Sequence, residues 1–84
     1  MKVTLKLYAT LSDYLPSEAR RDNALPLEVS REATVGELIE RYSLPQRLTH
    51  LVLVNGAYVP PGERASYRLA EGDVVAVWPP IAGG

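Results

Sequence analysis

Residues 2–8 alternate, with Val3, Leu5 and Leu7 on one face and Lys2, Thr4, Lys6 and Tyr8 on the other. That period of two predicts a half-buried strand. The polar stretch 12–24, with Pro16, Ser17, Asp22 and Asn23, reads as a loop with room for one helical turn. Leu25, Leu27 and Val29 then alternate with Pro26, Glu28 and Ser30, a second strand. Pro26 has no N–H to give to a ladder, so this strand belongs at a sheet edge. Thr34-Val35-Gly36-Glu37 forms a capping box, in which Thr34 accepts from the Glu37 amide and Glu37 reaches back. Val35, Leu38, Ile39 and Tyr42 follow at helical spacing. The helix is expected to end near Tyr42 or Ser43, because Pro45 restricts Leu44. The apolar run Leu51–Val54, Asn55-Gly56 and Ala57–Val59 predict a hairpin. Residues 60–70 read as a loop, and Gly72-Asp73 opens a last strand, Val74 to Trp78.

The order strand, strand, helix, strand, short strand, strand predicts an α+β fold: a sheet of four to five strands on one main helix. One helix covers one sheet face, leaving the other to water or a partner. In the last strand, Val75 and Val77 are assigned to the core. Val74, Ala76 and Trp78 are assigned to the open face as a partner-binding surface, since exposed tryptophan is enriched at binding hot spots. The competing expectation is that Trp78 folds over the sheet end and caps the core.

Composition changes this picture mainly by exclusion. With 84 residues, 46% hydrophobic, 23% charged and a net charge of −1, the chain reads as one small ordered domain, 1–84. No basic excess exists to neutralise phosphates, so no nucleic-acid partner is expected. No apolar run approaches the ~20 residues of a membrane span. Met1 leads straight into the strand pattern, so no leader is expected. The lack of cysteine fits the cytoplasm and removes any thiol nucleophile or thiolate metal site. The single histidine, His50, excludes a histidine cluster and reads as a strand-edge residue. The glycines are scattered and build no phosphate loop. Glu37 has a capping role and Glu40 a solvated one, so no acid–base pair is set up. No bound cofactor and no metal site are expected.

The candidate chemistry lies at Pro79-Pro80-Ile81-Ala82-Gly83-Gly84. Two prolines stiffen the exit from the last strand and cannot join a ladder. Gly83 and Gly84 can thread a slot closed to other residues. We expect residues 79–84 to form a slim extended tail, reaching roughly 20 Å at ~3.3–3.6 Å per residue. We also expect Gly84 to end the chain with a free carboxylate, delivered into another protein's active site. A frayed terminus would not account for a stiff Pro-Pro followed by a bare Gly-Gly. A carboxylate becomes reactive once joined to AMP, and a sulfur donor can then convert it to a thiocarboxylate. The nucleotide site for that step must belong to a partner.

Val3–Tyr8, Thr34–Ile39, Leu51–Val59 with its Val-Asn-Gly centre, Leu69–Trp78 with its Glu-Gly-Asp turn, and Pro79–Gly84 together resemble the ubiquitin-like sulfur carriers. These have the β-grasp fold. The match is strongest to the small, sulfur-carrying subunit of molybdopterin synthase, with the thiamine-pathway carrier a near relative. The resemblance implies a sheet whose first and last strands are central and parallel. It implies that Gly84 is adenylated and thiocarboxylated, that Gly83 permits entry to a narrow channel, and that Pro79, Pro80, Ile81 and Ala82 form the inserted tail. The implied partners are an ATP-using adenylyltransferase related to ubiquitin activators, a sulfur donor protein, and the molybdopterin synthase large subunit. The paired prolines favour the molybdopterin branch. A carrier for thiamine or another sulfur-containing metabolite, and a ubiquitin-like protein modifier joined through Gly84 to lysine, are the alternatives. The polar segment 12–24 and the loop 60–68 are longer than in the commonest members.

Overall fold

The computed structural model describes residues 1–80, so Ile81, Ala82, Gly83 and Gly84 lie outside the described residues. Five strands, β1 (Lys2–Leu7), β2 (Ala24–Glu28), β3 (Leu51–Val54), β4 (Ala57–Tyr58) and β5 (Val74–Trp78), form one mixed sheet in the order β2-β1-β5-β3-β4. β1 and β5 are central and parallel, with Leu5 opposite Val75 and Leu7 opposite Val77. The other pairings are antiparallel. This is the β-grasp architecture. β2 lies at an edge, where Pro26 costs no ladder bond.

The alternation assigned from the pattern sets the core. Val3, Leu5, Leu7, Val52, Val54, Val75 and Val77 are buried on one face of the sheet. The main helix, α2 (Val35–Arg41), adds buried Val35 and Leu38, with Ile39 and Tyr42 packed at the margin. The Glu37 amide donates to Thr34 Oγ1 at 3.2 Å. The Glu37 carboxylate accepts from the Thr34 hydroxyl at 3.4 Å instead of from the Thr34 amide, so only the first half of the expected capping box forms. The helix stops at Arg41, and Ser43 follows at φ 54°, a left-handed residue that turns the chain away before Pro45. The hairpin turn has Asn55 at φ 51° and Gly56 at φ 86°, the primed geometry that matches strand twist.

The segment 12–24 is more structured than its polarity predicts. A 3-10 helix spans Ala9–Tyr14, and a short helix, α1, spans Ser17–Arg20. Leu11, Leu15 and Ala19 are all buried. They lie on two short helices and on an extended residue between them, hidden among polar neighbours. The core face is therefore covered by α2 together with this segment, rather than by one helix alone. The loop 60–70 is also tied down. Val35 donates to Tyr67 O and Leu69 to Ala33 O, flanking a bridge between Thr34 and Arg68.

Candidate functional site at the root of the tail

β5 ends where the pattern placed its end. Trp78 is its last residue, Pro79 is half-buried and Pro80 is exposed. Two neighbours fix this end. The Tyr8 amide donates to Val77 O at 3.2 Å, and the His50 amide donates to Trp78 O at 3.1 Å. A central strand held from both sides gives the tail a defined origin and direction. His50 serves that purpose through its backbone, with its side chain exposed.

Trp78 remains 40% exposed, so the capping alternative does not hold. Its ring stacks on Tyr8, with centroids 4.1 Å apart and planes 6° from parallel. The β3 register places Leu51 on its other side. Trp78 thus stands between two neighbours with an edge toward solvent. Below it on the same face, Ala76 pairs with Lys6 and Leu53, and Val74 with Thr4. Val74, Ala76, Leu51, Leu53 and Lys6 are half-buried, and Tyr58 is 54% exposed. The structure brings Val74, Ala76 and Trp78 together as assigned from the pattern.

Sequence reasoning placed Tyr8 on the face opposite Val3, Leu5 and Leu7 without giving it a role, and missed Leu51, Leu53 and Tyr58 as members of this surface. The signal was present. Leu51–Val54 is apolar at every position, as expected of a strand covered on both faces. It missed Arg64 for a different reason, since a loop arginine carries no periodic signal. Arg64 is 7% exposed and donates through Nε to Val59 O at 3.1 Å, and through its terminal nitrogens to Thr49 O at 2.6 Å and His50 O at 3.2 Å. It clamps the approach to β3 beside the tail root. Gly36 lets the helix start approach this clamp. Its amide donates to Arg64 O at 2.8 Å, and a Cβ there would stand 3.1 Å from Ala65 Cα.

Among the described residues no group of three His, Asp or Glu side chains could hold a metal ion, and no helix is long and apolar enough to cross a membrane. What the described residues offer is a held strand end, a partly apolar face and a stiff exit.

The family model described as Mut7-C ubiquitin matches residues 1–82. The chain belongs to that ubiquitin-like family. No curated protein matches its sequence. It is similar to the solution structure of the HVO 2177 protein of Haloferax volcanii, with a TM-score of 0.75 and 29% identity over 100% of this chain and 87% of that one. It is similar to SAMP1, small archaeal modifier protein 1, of the same organism, with a TM-score of 0.68 and 26% identity over 100% of both chains. The fold is shared with a chain from the complex of subunits 1 and 2 of the molybdopterin-converting factor of Helicobacter pylori. There the TM-score is 0.59 and the identity 16% over 100% of both chains. The family model thus shows a ubiquitin-like domain, and the solved structures share its fold.

Proposed function

We propose that the protein is a cytoplasmic sulfur carrier of molybdopterin biosynthesis, a co-substrate rather than a catalyst. The observation that carries this reading is the held end of β5. A central strand ends at Trp78 and Pro79-Pro80, beside an open, partly apolar face, and in the sequence Ile81, Ala82, Gly83 and Gly84 follow. An adenylyltransferase supplies ATP and binds this face. The Gly84 carboxylate attacks the α-phosphate, releasing pyrophosphate and leaving an acyl adenylate. The outer sulfur of a donor protein's persulfide displaces AMP to give an acyl disulfide. A thiol then cleaves its S–S bond, forming a new disulfide with the donor and leaving the Gly84 thiocarboxylate. The molybdopterin synthase large subunit then takes the tail, and the thiocarboxylate gives up its sulfur to a pterin precursor. The paired prolines favour this branch over the thiamine branch, and the fold shared with a molybdopterin-converting factor subunit is compatible with it.

The test is intact-mass measurement after incubation with activating enzyme, ATP and sulfur donor. Exchange of one oxygen for sulfur, mapped to Gly84, is the expected outcome. Exchange at any other residue, or none, removes the reading. A second reading, protein modification, is favoured by the similarity to small archaeal modifier protein 1. It requires conjugates in which Gly84 is joined to a lysine amine, which the same fractions would reveal after proteolysis.

A further inference from the structure

The sheet end that releases the tail carries a second concave surface, on the helix side instead of the open face. It is a groove of about 540 Å³ between α2 and the 61–65 loop. Ile39 and Pro61 contribute apolar lining, and Arg47, His50, Glu40 and Arg64 contribute the polar part. Arg47, His50 and Glu40 are exposed, so water screens them. Arg64 is different, at 7% exposure. Among the described residues no carboxylate stands within 4.0 Å of its guanidinium.

Three backbone carbonyls take three of its N–H groups. A guanidinium has five, and carbonyl dipoles oppose only part of a full charge. A buried cation without a counter-charge is costly, so this wall favours negative charge from outside. Arg47 at the same groove adds a second guanidinium against the one carboxylate of Glu40. Guanidinium groups hold carboxylates in paired, directed hydrogen bonds. The groove also adjoins the open face. His50 borders it, bonds Trp78 O through its amide, and precedes Leu51. A protein closing over the tail root therefore meets both surfaces.

We propose that this groove docks an acidic segment of the protein that handles the tail. A carboxylate lies between Arg47 and Arg64, and an apolar neighbour rests on Ile39 and Pro61. The proposal rests on the carrier reading for the partner's identity, but its test needs neither activation nor sulfur. The nitrogen-15-labelled full chain is titrated with a capped glutamate–leucine peptide and followed by NMR. Shifts are expected at the Arg47, Thr49, His50 and Ala65 amides and at the Arg64 Nε–H, with Leu53 and Ala76 unmoved. Arg47→Ala, at an exposed position, should raise Kd more than tenfold and leave melting unchanged. A glutamine–leucine peptide should not bind. Absence of shifts, shifts on the open face, equal binding of the glutamine peptide, or equally tight occupation by inorganic phosphate would each overturn the proposal. Thiocarboxylate formation at Gly84 with no peptide binding would reject the groove alone, and peptide binding without it would reject the carrier reading alone.

Discussion

Trp78 is held on the open face by Tyr8 and Leu51 rather than drawn into the core. An indole in that position gives little to folding and much to a partner that covers it. Trp78→Ala should therefore leave the denaturation midpoint nearly unchanged. It should weaken binding to the activating or synthase partner more than tenfold, or ~1.4 kcal/mol. Calorimetric titration beside a urea melt separates the two quantities, and a large fall in midpoint with normal binding would return Trp78 to the core. Arg64 behaves in the opposite sense. Its guanidinium satisfies three carbonyls in a buried place, so Arg64→Ala leaves acceptors without donors. The expected loss is about 2–3 kcal/mol in a urea melt. A loss below about 0.5 kcal/mol, the level of an ordinary surface change, would show that water replaces the clamp.

At the scale of elements, the turn Asn55-Gly56 does more than reverse the chain. Asn55 Nδ2 donates to Asp73 Oδ1 at 2.9 Å, and Asn55 Oδ1 accepts from the Val74 amide at 2.9 Å. Asp73 Oδ2 in turn accepts from the Ala70 amide at 2.8 Å. The hairpin turn thereby fixes where β5 begins, at the opposite end from the tail. Asn55→Ala should cost about 1–2 kcal/mol, from the lost bonds and the left-handed backbone an alanine resists. Asn55→Gly should recover the backbone part alone, and equal losses for both variants would remove the backbone argument. The hairpin and β5 were legible in the sequence because their signals are local: a turn dipeptide and a period of two. The parallel pairing of β1 with β5 joins residues some seventy positions apart, and it came from the resemblance. The 12–24 segment reads as a loop with room for one helical turn, and α1 is that turn. The 3-10 helix Ala9–Tyr14 and the burial of Leu11, Leu15 and Ala19 were not legible, because these apolar residues are diluted among polar ones. The Arg64 clamp was illegible because three separate backbone carbonyls define it, and no residue type in the sequence marks them.

At the scale of the molecule, every described core residue lies between Val3 and Val77, ahead of Pro79-Pro80. The two central strands place that tail at the end of the sheet where Tyr8, His50 and the Arg47–Arg64 groove also lie. On the proposed carrier function, folding and delivery are separated along the chain, and substitutions can address one without the other. Gly83→Val tests this separation. A β-branched side chain narrows the backbone choices of the tail and widens it where a partner's channel should admit none. Its melting temperature should match that of the parent chain, because the described core residues run from Val3 to Val77. Adenylation and sulfur loading should fall strongly in the same preparation. Gly83→Ala, adding a single methyl group, should lie between the two. Loading of the valine variant at the parent rate would mean that the tail passes no narrow channel, and the glycine pair would lose its functional explanation.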